Sequence, residues 1–150
     1  MDCILQEDQY RTIYNTSFLS LGSSLYAVYN GCYQLSVCPL GVFLTSINYW
    51  RKPDYSWRRY LDIGVVKCAL LTQMYKAYGT RYMYHYYGLT TVAIGFYQLG
   101  VHYYKQQKYW ESTYAHCALH IFANIANLFL YSGLHQSWIS SINLSFKLLQ

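Results

Sequence analysis

Polar and apolar positions alternate with helical period along this chain, but in the inverse of the usual proportion. In the stretch YAHCALHIFANIANLFLY, an α-helix turning 100° per residue places Thr113, His116, His120, Asn124, Asn127 and Tyr131 within a wedge of roughly 80°. The rest of that helix is Ala118, Leu119, Ile121, Phe122, Ile125, Leu128, Phe129 and Leu130. Such a helix is apolar over most of its surface, with one narrow polar seam. Lipid explains this pattern better than water does, because imidazoles and amides within a bilayer must turn inward to find partners.

The charges mark where the apolar segments end. No Asp, Glu, Lys or Arg occurs from Thr12 to Trp50, from Tyr82 to Tyr104, or from Ser112 to Phe146. Each gap exceeds the roughly 20 residues that cross a hydrocarbon core of about 30 Å. The first is long enough for two spans, divided by the turn residues of Asn30 to Pro39. The pattern predicts an all-α integral membrane bundle forming a single domain over residues 1–150. Its spans are expected at 13–31, 35–50, 60–77, 82–104 and 112–134, followed by an interfacial tail over 135–150. Four spans is the alternative, with the first segment lying flat.

Composition agrees. Of 150 residues, 54% are hydrophobic and 11% charged, against roughly 25% charged in soluble domains. The mean hydropathy of +0.02 is modest, because hydropathy scales score tyrosine as polar and the chain has 20 of them. Tyrosine and tryptophan concentrate where a bilayer meets water. Here they crowd around three expected loops: Tyr49, Trp50, Tyr55, Trp57 and Tyr60; Tyr75, Tyr78, Tyr82, Tyr84, Tyr86 and Tyr87; and Tyr103, Tyr104, Tyr109, Trp110 and Tyr114. With five spans, Arg11, Arg51, Lys52, Arg58, Arg59, Lys105 and Lys108 share one side, and Lys76, Arg81 and Lys147 the other. The excess of positive charge predicts a cytoplasmic N terminus and cytoplasmic basic loops; which membrane is involved stays open.

Other features narrow the field. The net charge of +5 reads as topology and attraction to anionic lipid; RKPDYSWRR is too short and interrupted for a nucleic-acid stripe, so no nucleic acid is expected. The acidic MDCILQEDQYR lacks the apolar core of a signal peptide. Five cysteines without CxxC spacing suggest buried small apolar groups and no disulfide framework. Asn15-Thr16-Ser17 and Asn143-Leu144-Ser145 match glycosylation sequons, a short and often accidental pattern.

Three polar elements carry the chemistry. His116 and His120, four apart on one face, can share a metal ion, and a third ligand with an activated water would complete a zinc site. The competing reading is interhelical hydrogen bonding, worth about 0.6–2 kcal/mol per contact. Asp62 follows Arg58 and Arg59 at ion-pairing separations, or else turns inward to orient a water or a histidine. Lys67 lies about 140° around the helix from Asp62 and is expected to snorkel or meet another helix. Ser46, near the end of the second span, is a packing residue or, alternatively, a nucleophile.

The order of LTSINYW (Ser46), WRRYLDIG (Asp62) and HCALH (His116 to His120) resembles the alkaline-ceramidase-like superfamily of membrane hydrolases, which includes the progestin- and adiponectin-receptor proteins. That resemblance, over about 40 positions, implies three histidines holding zinc, with a serine and an aspartate, here Ser46 and Asp62, managing the activated water. The chain departs from the pattern in three ways. Trp50 stands where the family's first histidine would be, five spans replace seven, and Ser46 and Asp62 are further apart. His85 and His102 are the remaining candidates for a third ligand. The chain is also similar to small multi-span membrane proteins of protists and large DNA viruses. The expected function is therefore a structural or accessory subunit of a membrane assembly, cellular or in the internal membrane of a virus particle, with lipid bilayer and protein partners. A zinc-dependent lipid-amide hydrolase, or an inactive relative of one, is the alternative.

Overall fold

Five helices account for the architecture: α1 (Glu7–Tyr29), α2 (Tyr33–Trp50), α3 (Trp57–Ala77), α4 (Met83–Lys105) and α5 (Tyr109–Leu148). The computed structural model describes residues 4–148, with side chains through residue 135, and no strand occurs among them. Helices α1 to α4 contain 18 to 23 residues each, about 27–35 Å at 1.5 Å per residue. Helices α2, α3 and α4 lie within three residues of the expected segments, whereas α1 begins at Glu7, six residues before the expected 13. Other details differ. The first turn is confined to Asn30, Gly31 and Cys32, with Gly31 at φ +74°, and Pro39 lies inside α2. The segment beyond 134 continues α5 without a break to Leu148.

Pro39 lies inside α2 and leaves the Leu35 carbonyl without its helical donor. Proline removes the amide that would bond the carbonyl four residues back. The next carbonyl, that of Ser36, accepts a hydrogen bond from Ser24 Oγ of α1 at 2.9 Å.

The helices run up and down in the ring order α3, α2, α1, α5, α4. Contacts fix the directions. Phe18 meets Phe43 edge-on at 5.1 Å, joining α1 to α2. Phe96 stacks on Phe122 at 5.3 Å and His85 on Phe129 at 5.2 Å, joining α4 to α5. At Gly100 the two helices touch: a Cβ there would be in ordinary contact, 3.5 Å from the Ser112 carbonyl, while Ser112 Oγ donates to the Gly100 carbonyl at 2.8 Å. Apolar clusters sit at the two ends. One joins Ile13, Tyr49, Trp50 and Cys117; the other joins Ala27, Leu35, Ala77, Tyr86, Leu130 and Tyr131.

The ring is tight everywhere except between α3 and α4. Those two meet near the second cluster, where Tyr87 Oη donates to the Met74 carbonyl at 2.8 Å. Beside that contact, Gln73 Nε2 of α3 donates to Tyr131 Oη of α5 at 2.8 Å. Toward the other end α3 packs chiefly on α2, leaving a slot beside α4.

By length and composition, the segment Tyr109–His135 is long and apolar enough to cross a membrane.

Candidate functional site

The polar seam of α5 faces into the ring. Thr113 and Tyr131 are fully enclosed, His120, Asn124 and Asn127 are buried, and His116 is half-buried. The middle four, His116, His120, Asn124 and Asn127, line a cavity of about 380 Å³. The two end residues are occupied otherwise: Thr113 Oγ1 donates to the Tyr109 carbonyl at 2.9 Å, and Tyr131 is held by Gln73.

Ser46 and Asp62 belong to the same cavity. Both are buried, because α2 and α3 pack antiparallel and Gly41 lets Val65 come close. Ser46 Oγ and Thr45 Oγ1 each donate to Asp62 Oδ1 at 2.8 Å. The inward reading of Asp62 is the one realised. Arg58 is turned away from it, donating to Asp54 Oδ2 at 2.7 Å, to the Lys52 carbonyl at 2.8 Å and to the Asn48 carbonyl at 3.2 Å. It thereby fastens the end of α2 to the start of α3. Asp54 also accepts from Ser56 Oγ, and these bonds, with the Ser56 contact largest, hold the Asp54 carboxyl below the usual aspartate range.

The two histidine rings are 5.1 Å apart between centroids. Trp50 meets His116 edge-on at 4.9 Å, so the side chain in the place of the resembled family's first histidine does reach the pair, as an indole that offers no lone pair to a metal. His85 and His102 do not join them. His85 stacks on Phe129, and His102 faces Gln106 at 2.9 Å in an exposed turn. Among the described residues, no three His, Cys, Asp or Glu side chains are placed to hold one metal ion.

The cavity floor carries unsatisfied polar atoms. Asn124 Nδ2 donates to the His120 carbonyl at 2.7 Å and approaches Ser20 Oγ at 3.4 Å. Asn124 Oδ1 and His120 Nε2 are buried with no hydrogen-bond partner. Burying such atoms without partners costs about 1–3 kcal/mol each, which a bound molecule or ordered water would offset.

Sequence reasoning missed Ser20, Thr45 and Gln73. The signal for Ser20 was present: Ile13, Ser17, Ser20, Ser24 and Ala27 recur at spacings of four and three, and all are buried. They make α1 a helix whose inner stripe is hydroxyl-rich and whose outer face carries Phe18, Leu19, Leu25 and Val28. No comparable pattern singles out Gln73, whose role depends on Tyr131 of a distant helix.

No family model matches the chain, and no curated protein or solved structure matches it.

Proposed function

We propose that this chain is an integral membrane protein whose five helices all cross the bilayer, acting as an accessory component of a membrane assembly. The observation that carries this reading is the inverted distribution of polarity. Serine, threonine, asparagine, glutamine, histidine and aspartate side chains fill the interior, while Leu25, Val37, Leu44 and Leu71 are more than half exposed on the outside. Soluble monomers rarely expose contiguous apolar surface of that extent. Single helices of this kind score poorly on hydropathy because their inward polar residues and outward tyrosines are averaged with the aliphatic positions.

The aromatic girdles support the same reading. Tyr29, Tyr75, Tyr78 and Tyr84 are exposed at one end of the bundle, and Tyr55, Trp57, Tyr60 and Tyr114 at the other. Cations sit over rings at both levels: Lys76 and Arg81 over Tyr75 and Tyr82, Arg59 and Lys108 over Tyr55 and Tyr103. Amphipathic rings beside cations are the furniture of a membrane interface. The loops between the helices are short, which favours a component that fills space between larger partners.

Cysteine-scanning accessibility tests the topology. Ile125 is partly exposed on the bundle's outer face, so in water Ile125→Cys would label as readily as Ser56→Cys. Lipid around the bundle predicts fast labelling at position 56 and protection at 125; equal rates at both overturn the five-span reading.

One observation favours a second reading. Ser46, Asp62, His116 and His120 share one cavity, as the hydrolase resemblance implies they should. With Trp50 against His116, the ligand set stops at two histidines, which favours an inactive relative over a zinc hydrolase. Metal analysis of detergent-purified protein decides between them. Stoichiometric zinc that is lost in His116→Ala and His120→Ala would support the zinc site, and a stable metal-free protein would exclude it.

A further inference from the structure

We propose that the cavity is a binding site for a neutral single-chain lipid with a hydroxylated head group, admitted sideways through the slot between α3 and α4. The inference rests on the five-span reading, because the slot must open onto lipid. Four cavity-lining residues are exposed, and they form its two lips: Val66 and Lys67 on α3, Ile94 and Tyr97 on α4. The slot narrows where Tyr87 and Gln73 fasten α3 to its neighbours.

The shape fits one chain. Asp62 and Gln73, both lining the cavity, are about 16 Å apart along α3. A volume of about 380 Å³ falls within the range of small-molecule sites and holds about a dozen water-sized groups. That accommodates a head group and upper chain, with the remaining chain leaving through the slot.

The chemistry of the floor selects the head group. Asn124 Oδ1 is an acceptor in need of a donor, and His120 Nε2 on the same face is also unpartnered. A hydroxyl can donate to the first and either donate to or accept from the second. Neither unpartnered atom belongs to a side chain of fixed charge, so a hydroxyl satisfies both without bringing a charge onto the floor. A glycerol ester of one fatty acid has the required features, whereas its methyl ester has the chain and no donor.

The test uses the full chain in detergent micelles with tritiated monooleoylglycerol, competed by unlabelled monooleoylglycerol or methyl oleate. Saturable binding near one per chain is expected, with methyl oleate competing about tenfold less well for want of hydroxyl donors. Asn124→Leu should abolish that preference while leaving apolar binding. Val66→Trp, on the lip and outside the hydrogen-bonded floor, should slow or block binding of both. Equal competition by the two esters, or an unchanged preference in Asn124→Leu, overturns the proposal. So does absence of saturable binding by folded wild type that resists carbonate extraction, a result that leaves the membrane reading standing. Release of the protein by carbonate instead overturns the membrane reading itself.

Discussion

Replacing Tyr131 by phenylalanine isolates the contact that ties α3 to α5. The phenol is fully enclosed and Gln73 is 5% exposed, and their hydrogen bond is 2.8 Å long. Tyr131→Phe removes one oxygen and leaves the ring's packing in place, so no cavity term enters. What remains is a buried amide with an unpaired N–H, worth about 1–3 kcal/mol in protein interiors. Helix–helix hydrogen bonds in bilayers average about 0.6 kcal/mol and reach about 1.7. A loss of about 1–2 kcal/mol follows, a change of about 5- to 30-fold in the folded-to-unfolded ratio. Gln73→Met alone should cost a similar amount. The double variant should be close to either single one, because removing both partners leaves nothing unsatisfied. The assay is reversible unfolding in mixed micelles, with all four proteins forming a double-mutant cycle. A coupling energy within the 0.3–0.5 kcal/mol scatter of independent sites would refute the argument that this bond closes the ring.

Three further outcomes are expected. Gly100→Ala should be tolerated, since its Cβ would meet neighbours no closer than 3.5 Å, whereas Gly100→Leu should lose about 1–3 kcal/mol through overpacking of α4 against α5, read in the same unfolding assay. Gln107, exposed in the turn before α5, holds φ +62°, so Gln107→Gly should stabilise by about 1 kcal/mol and Gln107→Ala should not. The Asp54 carboxyl is held below its ordinary value by Ser56 and Arg58. Its contribution is therefore full above the unfolded-state pKa of about 3.9 and is lost as pH falls through the lower folded-state value. A pH series of unfolding midpoints should show that acid-side loss in the wild type and less of it in Asp54→Asn; identical acid limbs would contradict it.

The helices were legible because charges and aromatics bracket the apolar segments, and because a seam such as Thr113 to Tyr131 follows from helical geometry alone. Pairing was not. The spacing of Asp62 from Arg58 and Arg59 suits an ion pair, yet Arg58 is taken by Asp54 and two carbonyls; which competitor captures a guanidinium depends on how the loop from residue 51 to 56 folds back. Pro39 reads locally as a turn residue, yet α2 runs through it. The seam's depth was readable, but its division of labour was not. Four members line the cavity, while Thr113 turns back on its own helix and Tyr131 answers Gln73. That partition is set by the ring order, which no single segment encodes.

The interior contacts between α1 and α5 join residues 101 to 106 positions apart, through Thr16 to Cys117, Asn124 to Ser20 and Tyr26 to Ser132. During synthesis, then, α1 emerges long before its partner exists. Ser20 of its inner stripe, which meets Asn124 of α5, has to wait for the fifth helix while the three between are made. Assembly of this bundle is a problem of timing, with the first helix held in a provisional state, against water, lipid or a helper protein, until translation reaches the fifth.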